Sequence, residues 1–343
     1  MITDDINIIH CSIEDVGKCL PELPVYIICD RNVKDIALKT GVKPRATLEI
    51  EASENNKTIS TIEKINRWLM DNGADRNALI LGIGGGITTD MVGFAASVYK
   101  RGVRFAFLPT TLLSQVDAAI GGKNGVNLDS YKNIIGVFRQ PEATFICHEA
   151  LRGLPFPELV SGSAELLKTF IIKNKDKNYE KAVRLFSSMD PSKDDALMEH
   201  SGILGDLVTQ AAKVKAWIAG HDPQEKGERM VLNLGHTFAH AVEKLSEEKI
   251  SHGQAVAMGI ILAAKLSERL GTAKHGFCAR LESDFRACGL ETDCPFPIHD
   301  LAVAMTKDKK AESGIIHFIL PLRIGRVEIR DIRPEDVVRL LEN

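Results

Sequence analysis

Hydrophobic and polar residues alternate along this chain with two different periods. Val25-Tyr26-Ile27-Ile28-Cys29-Asp30 is a continuous apolar run closed by an acid. Ala78-Leu79-Ile80-Leu81-Gly82-Ile83 and Phe105-Ala106-Phe107-Leu108-Pro109 are two more such runs, and Thr47-Leu48-Glu49-Ile50 alternates. Runs of this length, apolar throughout, predict strands covered on both faces. Between them, Ile59 to Met70 carries helical spacing and Asp90 to Tyr99 reads as an apolar helix. Strands alternating with helices predict a parallel α/β sheet. Leu154-Pro155-Phe156-Pro157 interrupts that pattern. Beyond it, Glu158 to Lys173, Asp194 to Ile218, Gly235 to Leu245 and Gly253 to Leu270 read as helices. Only Ile315 to Pro321 and Arg326 to Ile329 look extended there. The expected architecture is an α/β domain over residues 1–154 followed by a mainly α-helical domain over 155–343.

Composition narrows the class. The balance of 44% hydrophobic and 26% charged residues is that of a soluble enzyme. A net charge of −3 argues against a nucleic-acid binder, so an anionic substrate requires a local basic cluster. No apolar stretch reaches about 18 residues, which excludes a transmembrane helix. The first ten residues carry Asp4 and Asp5 and predict no signal or transit peptide. Seven scattered cysteines without a CxxC pair predict reduced thiols in a cytoplasmic protein.

Three groups of residues carry candidate chemistry. Gly82-Ile83-Gly84-Gly85-Gly86 follows a strand and opens a helix, where backbone N–H groups can approach a diphosphate. Asp30 closes an early strand and is a candidate ribose contact. Thr110 and Thr111 follow Pro109 and are either cofactor contacts or helix caps. His236 and His240 stand at i and i+4, and His252 follows sixteen residues after His236. Neutral imidazoles with one carboxylate are the usual catalytic zinc set, and Glu165 lies on an otherwise apolar helix. Spacing does not decide which two histidines bind. The third group is basic and polar: Lys123, Lys132-Asn133, Lys168, Lys215, Arg229, Asn233 and the Lys309-Lys310 pair. Gathered together, they would hold phosphate or carboxylate groups.

These motifs together resemble the 3-dehydroquinate synthase family of sugar-phosphate cyclases. The likeness runs from about Asp30 to Arg330. It rests on Gly84-Gly85-Gly86 with Asp90, on Arg101 through Pro109-Thr110-Thr111 to Asp117 and Gly121-Gly122-Lys123, and on Lys132-Asn133. Ala164-Glu165…Lys168, Leu232-Asn233-Leu234-Gly235-His236-Thr237 and His252-Gly253 complete it. The resemblance implies a Rossmann-like NAD domain, a helical domain, and an active site in the cleft between them. It implies a divalent metal, zinc or cobalt, on Glu165, His236 and His252. Asp30, Glu54, Lys57, Gly84, Gly85, Gly86, Asp90, Thr110, Thr111, Lys123 and Lys132 would surround NAD. Asp117, Lys123, Asn133, Lys168, Lys215, Arg229, Asn233, His240 and Lys309 or its neighbour would face a sugar phosphate, with His240 as proton relay. Arg101 would reach a phosphate in a neighbouring subunit, which implies a homodimer. The implied reaction turns 3-deoxy-D-arabino-heptulosonate 7-phosphate into 3-dehydroquinate and phosphate, with NAD regenerated each turnover.

Three departures from the family pattern stand out. Leu128-Asp129 replaces a usual His-Pro, Thr169-Phe170 replaces smaller residues, and Gln254 replaces the Glu of His-Gly-Glu, removing a charge near the metal. The alternatives are another sugar-phosphate cyclase, a metal-dependent polyol dehydrogenase, or a silent NAD-binding sensor. A dehydrogenase would release NADH and would not need so many cations. A sensor would have lost ligand positions, all of which are occupied here.

Overall fold

The computed structural model describes residues 6–129, 131–190, 200–247, 249–308 and 315–342. Its contacts divide the chain into two compact units, Met1–Pro155 with Leu197–Gln224, and Phe156–Ala196 with Glu225–Asn343.

The first unit is built on a parallel sheet of β1 (Ile8–His10), β2 (Val25–Asp30), β3 (Ala46–Ile50), β4 (Leu79–Gly84), β5 (Arg104–Pro109) and β8 (Thr144–Ile146), ordered β1-β8-β5-β4-β2-β3. Successive side chains of a strand point to opposite faces. Tyr26, Ile28, Ile80, Phe105 and Phe107 therefore enter one core, while Val25, Ile27, Cys29, Leu81 and Leu108 enter the other. Both faces are covered, which is why these strands read as unbroken apolar runs. Each fully buried side chain of this size contributes roughly 1.5–3 kcal/mol.

Short helices α1 (Val16–Cys19) and α2 (Lys34–Lys39) precede α3 (Ile59–Asp71). In α3, Ile62, Ile65 and Leu69 repeat at helical spacing and are buried, and the Thr58 hydroxyl caps the start by accepting from the Thr61 N–H at 3.3 Å. Helix α4 (Gly86–Val98) starts at the glycine loop. An antiparallel hairpin of β6 (Lys123–Leu128) and β7 (Tyr131–Phe138) packs on α4. The Asn124 side-chain amide ties its open end by donating to the Gly122 and Arg139 carbonyls at 2.9 and 2.8 Å.

The second unit opens with α5 (Phe156–Ile172), buried continuously from Leu159 to Ile172 despite carrying Glu165 and Lys168. Helix α6 (Asn178–Ser187) follows. Helix α7 (Ser201–His221), expected with the helical half, groups with the first unit, where Gly205 lies against the His148 ring and Lys215 meets Asp117. The second unit continues with α8 (His236–Leu245), α9 (His252–Arg269), α10 (Phe277–Ala287) and α11 (Ile298–Asp308). The antiparallel pair β9 (Ile316–Arg323) and β10 (Arg326–Ile332) leads to α12 (Pro334–Glu342). Phe318 of β9 seals the core against Phe238 of α8, ring centroids 5.3 Å apart. All seven cysteines are free. Among the described residues no helix is long and apolar enough to cross a membrane.

Candidate active site

In the first unit the glycine loop lies at the carboxyl end of β4, the edge where open parallel sheets bind ligands. Gly84 has to be glycine: a Cβ there would fall 2.5 Å from the Thr88 hydroxyl oxygen. Gly85 precedes α4 and Gly86 is its first residue, so backbone N–H groups at a helix start border the loop. The Gly84 carbonyl accepts from the Thr110 N–H at 2.9 Å, which sets the β5 loop beside the glycines. Thr110 is buried, and the Thr111 hydroxyl accepts from the Ser114 N–H at 3.2 Å. Asp30 caps the turn after β2 by accepting from the Asn32 N–H at 3.0 Å. Such a cradle of glycines, helix start and strand-end Asp fits a dinucleotide.

Around it runs a polar network. The buried Lys57 ammonium donates to the Asp90 carboxylate and to the side-chain oxygen Oδ1 of Asn133, each at 2.6 Å. Burial pushes the Asp90 carboxyl up, and Lys57 opposes that shift. Asn133 adopts a left-handed conformation at φ +52°, and the Asn127 side chain holds it by accepting from its N–H at 2.9 Å. The Asn127 amide also donates to Glu54 at 2.7 Å. Asp90, Lys123 and Asn133 line one cavity of about 310 Å³. Lys132 is exposed on β7, next to Asn133. Asp117 forms an ion pair with the buried Lys215 of α7. Arg101 is exposed, with φ +68°, after the end of α4.

In the second unit, α5, α8 and α9 bring together Glu165, His236 and His252. Their donor atoms all lie within 4.8 Å of one another. Glu165 Oε1 lies 3.2 Å from His252 Nε2 and 3.5 Å from His236 Nε2, and the other carboxylate oxygen pairs with Lys168. Each imidazole is held from behind. His236 Nδ1 lies 3.2 Å from the Leu234 carbonyl, and His252 Nδ1 lies 3.3 Å from Glu243 Oε1. Both Nε2 atoms are thus turned toward one carboxylate, an N₂O donor set that suits zinc or cobalt with room for further ligands.

The electrostatics agree with that geometry. Burial alone would raise the Glu165 carboxyl, but Lys168 and the two imidazoles hold it well below the usual range. Burial and Lys168 keep His236 neutral, far below its ordinary value. Burial also works against a charged His252, but hydrogen bonds to Glu165 and Glu243 outweigh it and raise the group to about 10. A proton on His252 therefore sits where a cation would compete for the same lone pair.

His240 follows His236 by one turn, with its ring centroid 5.6 Å away, and is exposed. Arg229 is buried, and the Asn233 amide donates to Glu225 at 2.7 Å. Lys309 lies outside the described residues. Sequence reasoning missed Glu225 and Glu243. The only signal for Glu243 was its place seven residues after His236 on the same helix. Gln254 points elsewhere: its side-chain oxygen accepts from the Glu291 N–H at 2.6 Å.

The chain is similar to known proteins over most of its length. Residues 47–161 match the family model described as 3-dehydroquinate synthase N-terminal, and residues 162–311 match the one described as 3-dehydroquinate synthase C-terminal. A 3-dehydroquinate synthase of Pyrococcus abyssi is 42% identical over 292 residues, covering 85% of this chain and 83% of that protein. Among solved structures, 2-epi-5-epi-valiolone synthase from Streptomyces hygroscopicus subsp. jinggangensis, with NAD⁺ and Zn²⁺ bound, superposes with a TM-score of 0.84 at 24% identity, covering 98% of this chain and 96% of that one. A 2-deoxy-scyllo-inosose synthase complexed with carbaglucose-6-phosphate, NAD⁺ and Co²⁺ gives 0.83 at 24% identity, with coverage of 98% and 96%. The two cyclase structures share the fold, and the family matches span both halves of the sequence: this chain belongs to the 3-dehydroquinate synthase family.

Proposed function

We propose that this enzyme converts 3-deoxy-D-arabino-heptulosonate 7-phosphate into 3-dehydroquinate and inorganic phosphate. It does so with NAD used catalytically and zinc, replaceable by cobalt, as its metal. The reaction belongs to the shikimate pathway of aromatic amino-acid biosynthesis, and the protein works in the cytoplasm as a homodimer. One observation carries the reading: the Glu165, His236 and His252 donor set lies in the same unit as the buried cation Lys168, which is ion-paired to Glu165. A phosphorylated hydroxy acid needs both parts, a Lewis acid for its hydroxyls and cations for its anionic groups.

When bound, NAD⁺ supplies reversible hydride acceptance and the divalent cation polarises a substrate hydroxyl. The chain's own residues do the rest. Gly84, Gly85, Gly86, Asp30, Thr110 and Thr111 hold the dinucleotide, with Glu54, Lys57, Asp90, Lys123 and Lys132 around it. Lys168, Lys215 and Arg229 bind the carboxylate and phosphate and stabilise negative charge that develops as phosphate leaves. Asp117 sets Lys215 by ion pairing, and Asn133 and Asn233 orient substrate hydroxyls. His240 is exposed beside His236 and carries the proton released from the substrate hydroxyl. Arg101 contacts phosphate in the partner subunit.

A substrate profile tests this reading. The purified protein with zinc and NAD⁺ should release phosphate from the heptulosonate phosphate. It should leave a heptulose 7-phosphate lacking the carboxylate essentially untouched. Turnover of the second compound in place of the first would assign the chain to a different cyclase activity.

A further inference from the structure

We infer that Glu243 is a positioning residue of the metal site, and that it supplies the carboxylate that Gln254 lacks. The inference rests on the metal assignment to Glu165, His236 and His252. His252 opens α9, and its backbone is fixed on both sides. The Ser251 hydroxyl caps the helix, and the Gly253 N–H donates to the Ser161 hydroxyl at 3.1 Å. Gly253 also packs so tightly on α5 that a Cβ would fall 2.0 Å from the Ser161 carbonyl oxygen.

A fixed backbone still leaves the imidazole free to flip about its own bonds, and only one orientation presents Nε2 to Glu165. Glu243 selects it. This carboxylate is buried, projects from α8 rather than from α9, and faces Nδ1 at 3.3 Å while Nε2 faces Glu165 at 3.2 Å. A carboxylate on Nδ1–H fixes the tautomer that leaves the Nε2 lone pair for a cation and makes that nitrogen more basic. His236 is oriented by the Leu234 carbonyl, so the two imidazoles have unlike supports, and only that of His252 is charged. Gln254 is not part of this arrangement, because its side chain is engaged with the Glu291 backbone. The replacement of the family's Glu by Gln254 in this chain therefore still leaves a negative group, Glu243, behind His252.

Zinc affinity, read by chelator competition on the full-length protein, tests the inference as a double-mutant cycle. Glu243→Ala should weaken zinc binding about 10–100-fold. In a His252→Ala background the same change should shift affinity by no more than about threefold, since its target is gone. Glu243→Gln, which keeps the packing and one acceptor oxygen, should bind more tightly than Glu243→Ala. Equal losses in both backgrounds would mean a merely structural role and would overturn the inference, as would no loss in either. Failure of the metal assignment gives a separate result, in which His252→Ala binds zinc as tightly as the unaltered protein.

Discussion

Asp90→Ala isolates the ion pair that supports the proposed dinucleotide site. Lys57 is almost fully buried, its side chain 5% exposed, and its ammonium has Asp90 and Asn133 as neighbours at 2.6 Å. Removing one partner of a buried pair costs about 3–5 kcal/mol, because the remaining charge stays in a poor dielectric. Asp90 is 18% exposed, so water can partly replace it, which places the loss at about 2–3 kcal/mol. A unit of this size loses about 2–4 °C in Tm per kcal/mol, so melting should drop by about 4–12 °C. Thermal unfolding followed by circular dichroism, without NAD, measures this directly. The double variant Lys57→Met, Asp90→Leu removes the stranded charge and should recover most of the loss. A Tm for Asp90→Ala within about 1 °C of the unaltered protein would refute the reasoning, as would a double variant less stable than Asp90→Ala.

Other consequences follow from the metal site and its neighbours. His252 has a folded-state value of about 10 against an ordinary 6.5, so its stabilisation is complete below 6.5 and is lost as pH rises through about 10. Protein stripped with EDTA should become less stable across that window, while zinc affinity should climb by up to about tenfold per pH unit as the competing proton leaves. Gly253→Ala forces a Cβ onto the Ser161 carbonyl and should cost about 1–3 kcal/mol in chemical denaturation while also weakening zinc binding. Lys215→Met removes a cation and leaves Asp117 in place. It should lower kcat/KM for the heptulosonate phosphate about 10–100-fold, and steady-state kinetics with no change would remove Lys215 from the substrate contacts.

Much of this fold is legible in the residues. The strand from Val25 to Asp30 and the run ending at Pro109 are apolar on both faces because both faces are buried, and that pattern needs no tertiary information. The hairpin of Lys123–Leu128 and Tyr131–Phe138 is not legible. Its second strand is largely exposed, with Tyr131, Ile134 and Phe138 open to solvent and Ile135 and Val137 half-buried against the core, too short an alternation to mark a strand. The path of α7 is hidden for a different reason: a helical period says nothing about which unit a helix joins. In the metal site, the i, i+4 spacing makes His236 and His240 neighbours, but the donor geometry pairs His236 with His252 across a loop. Only the fold brings Glu165 to them. Glu243 escaped notice because a Glu on an amphipathic helix reads as solvated, whereas here it is buried.

The most direct measurement counts phosphate against NADH. The zinc-loaded enzyme is given the heptulosonate phosphate and NAD⁺ at a small fraction of the substrate concentration. Each NAD should then support many turnovers, with phosphate and 3-dehydroquinate rising together and no net absorbance growth at the NADH maximum. NADH accumulating in step with consumed substrate, and phosphate retained on the product, would contradict the cyclase reading and identify a dehydrogenase.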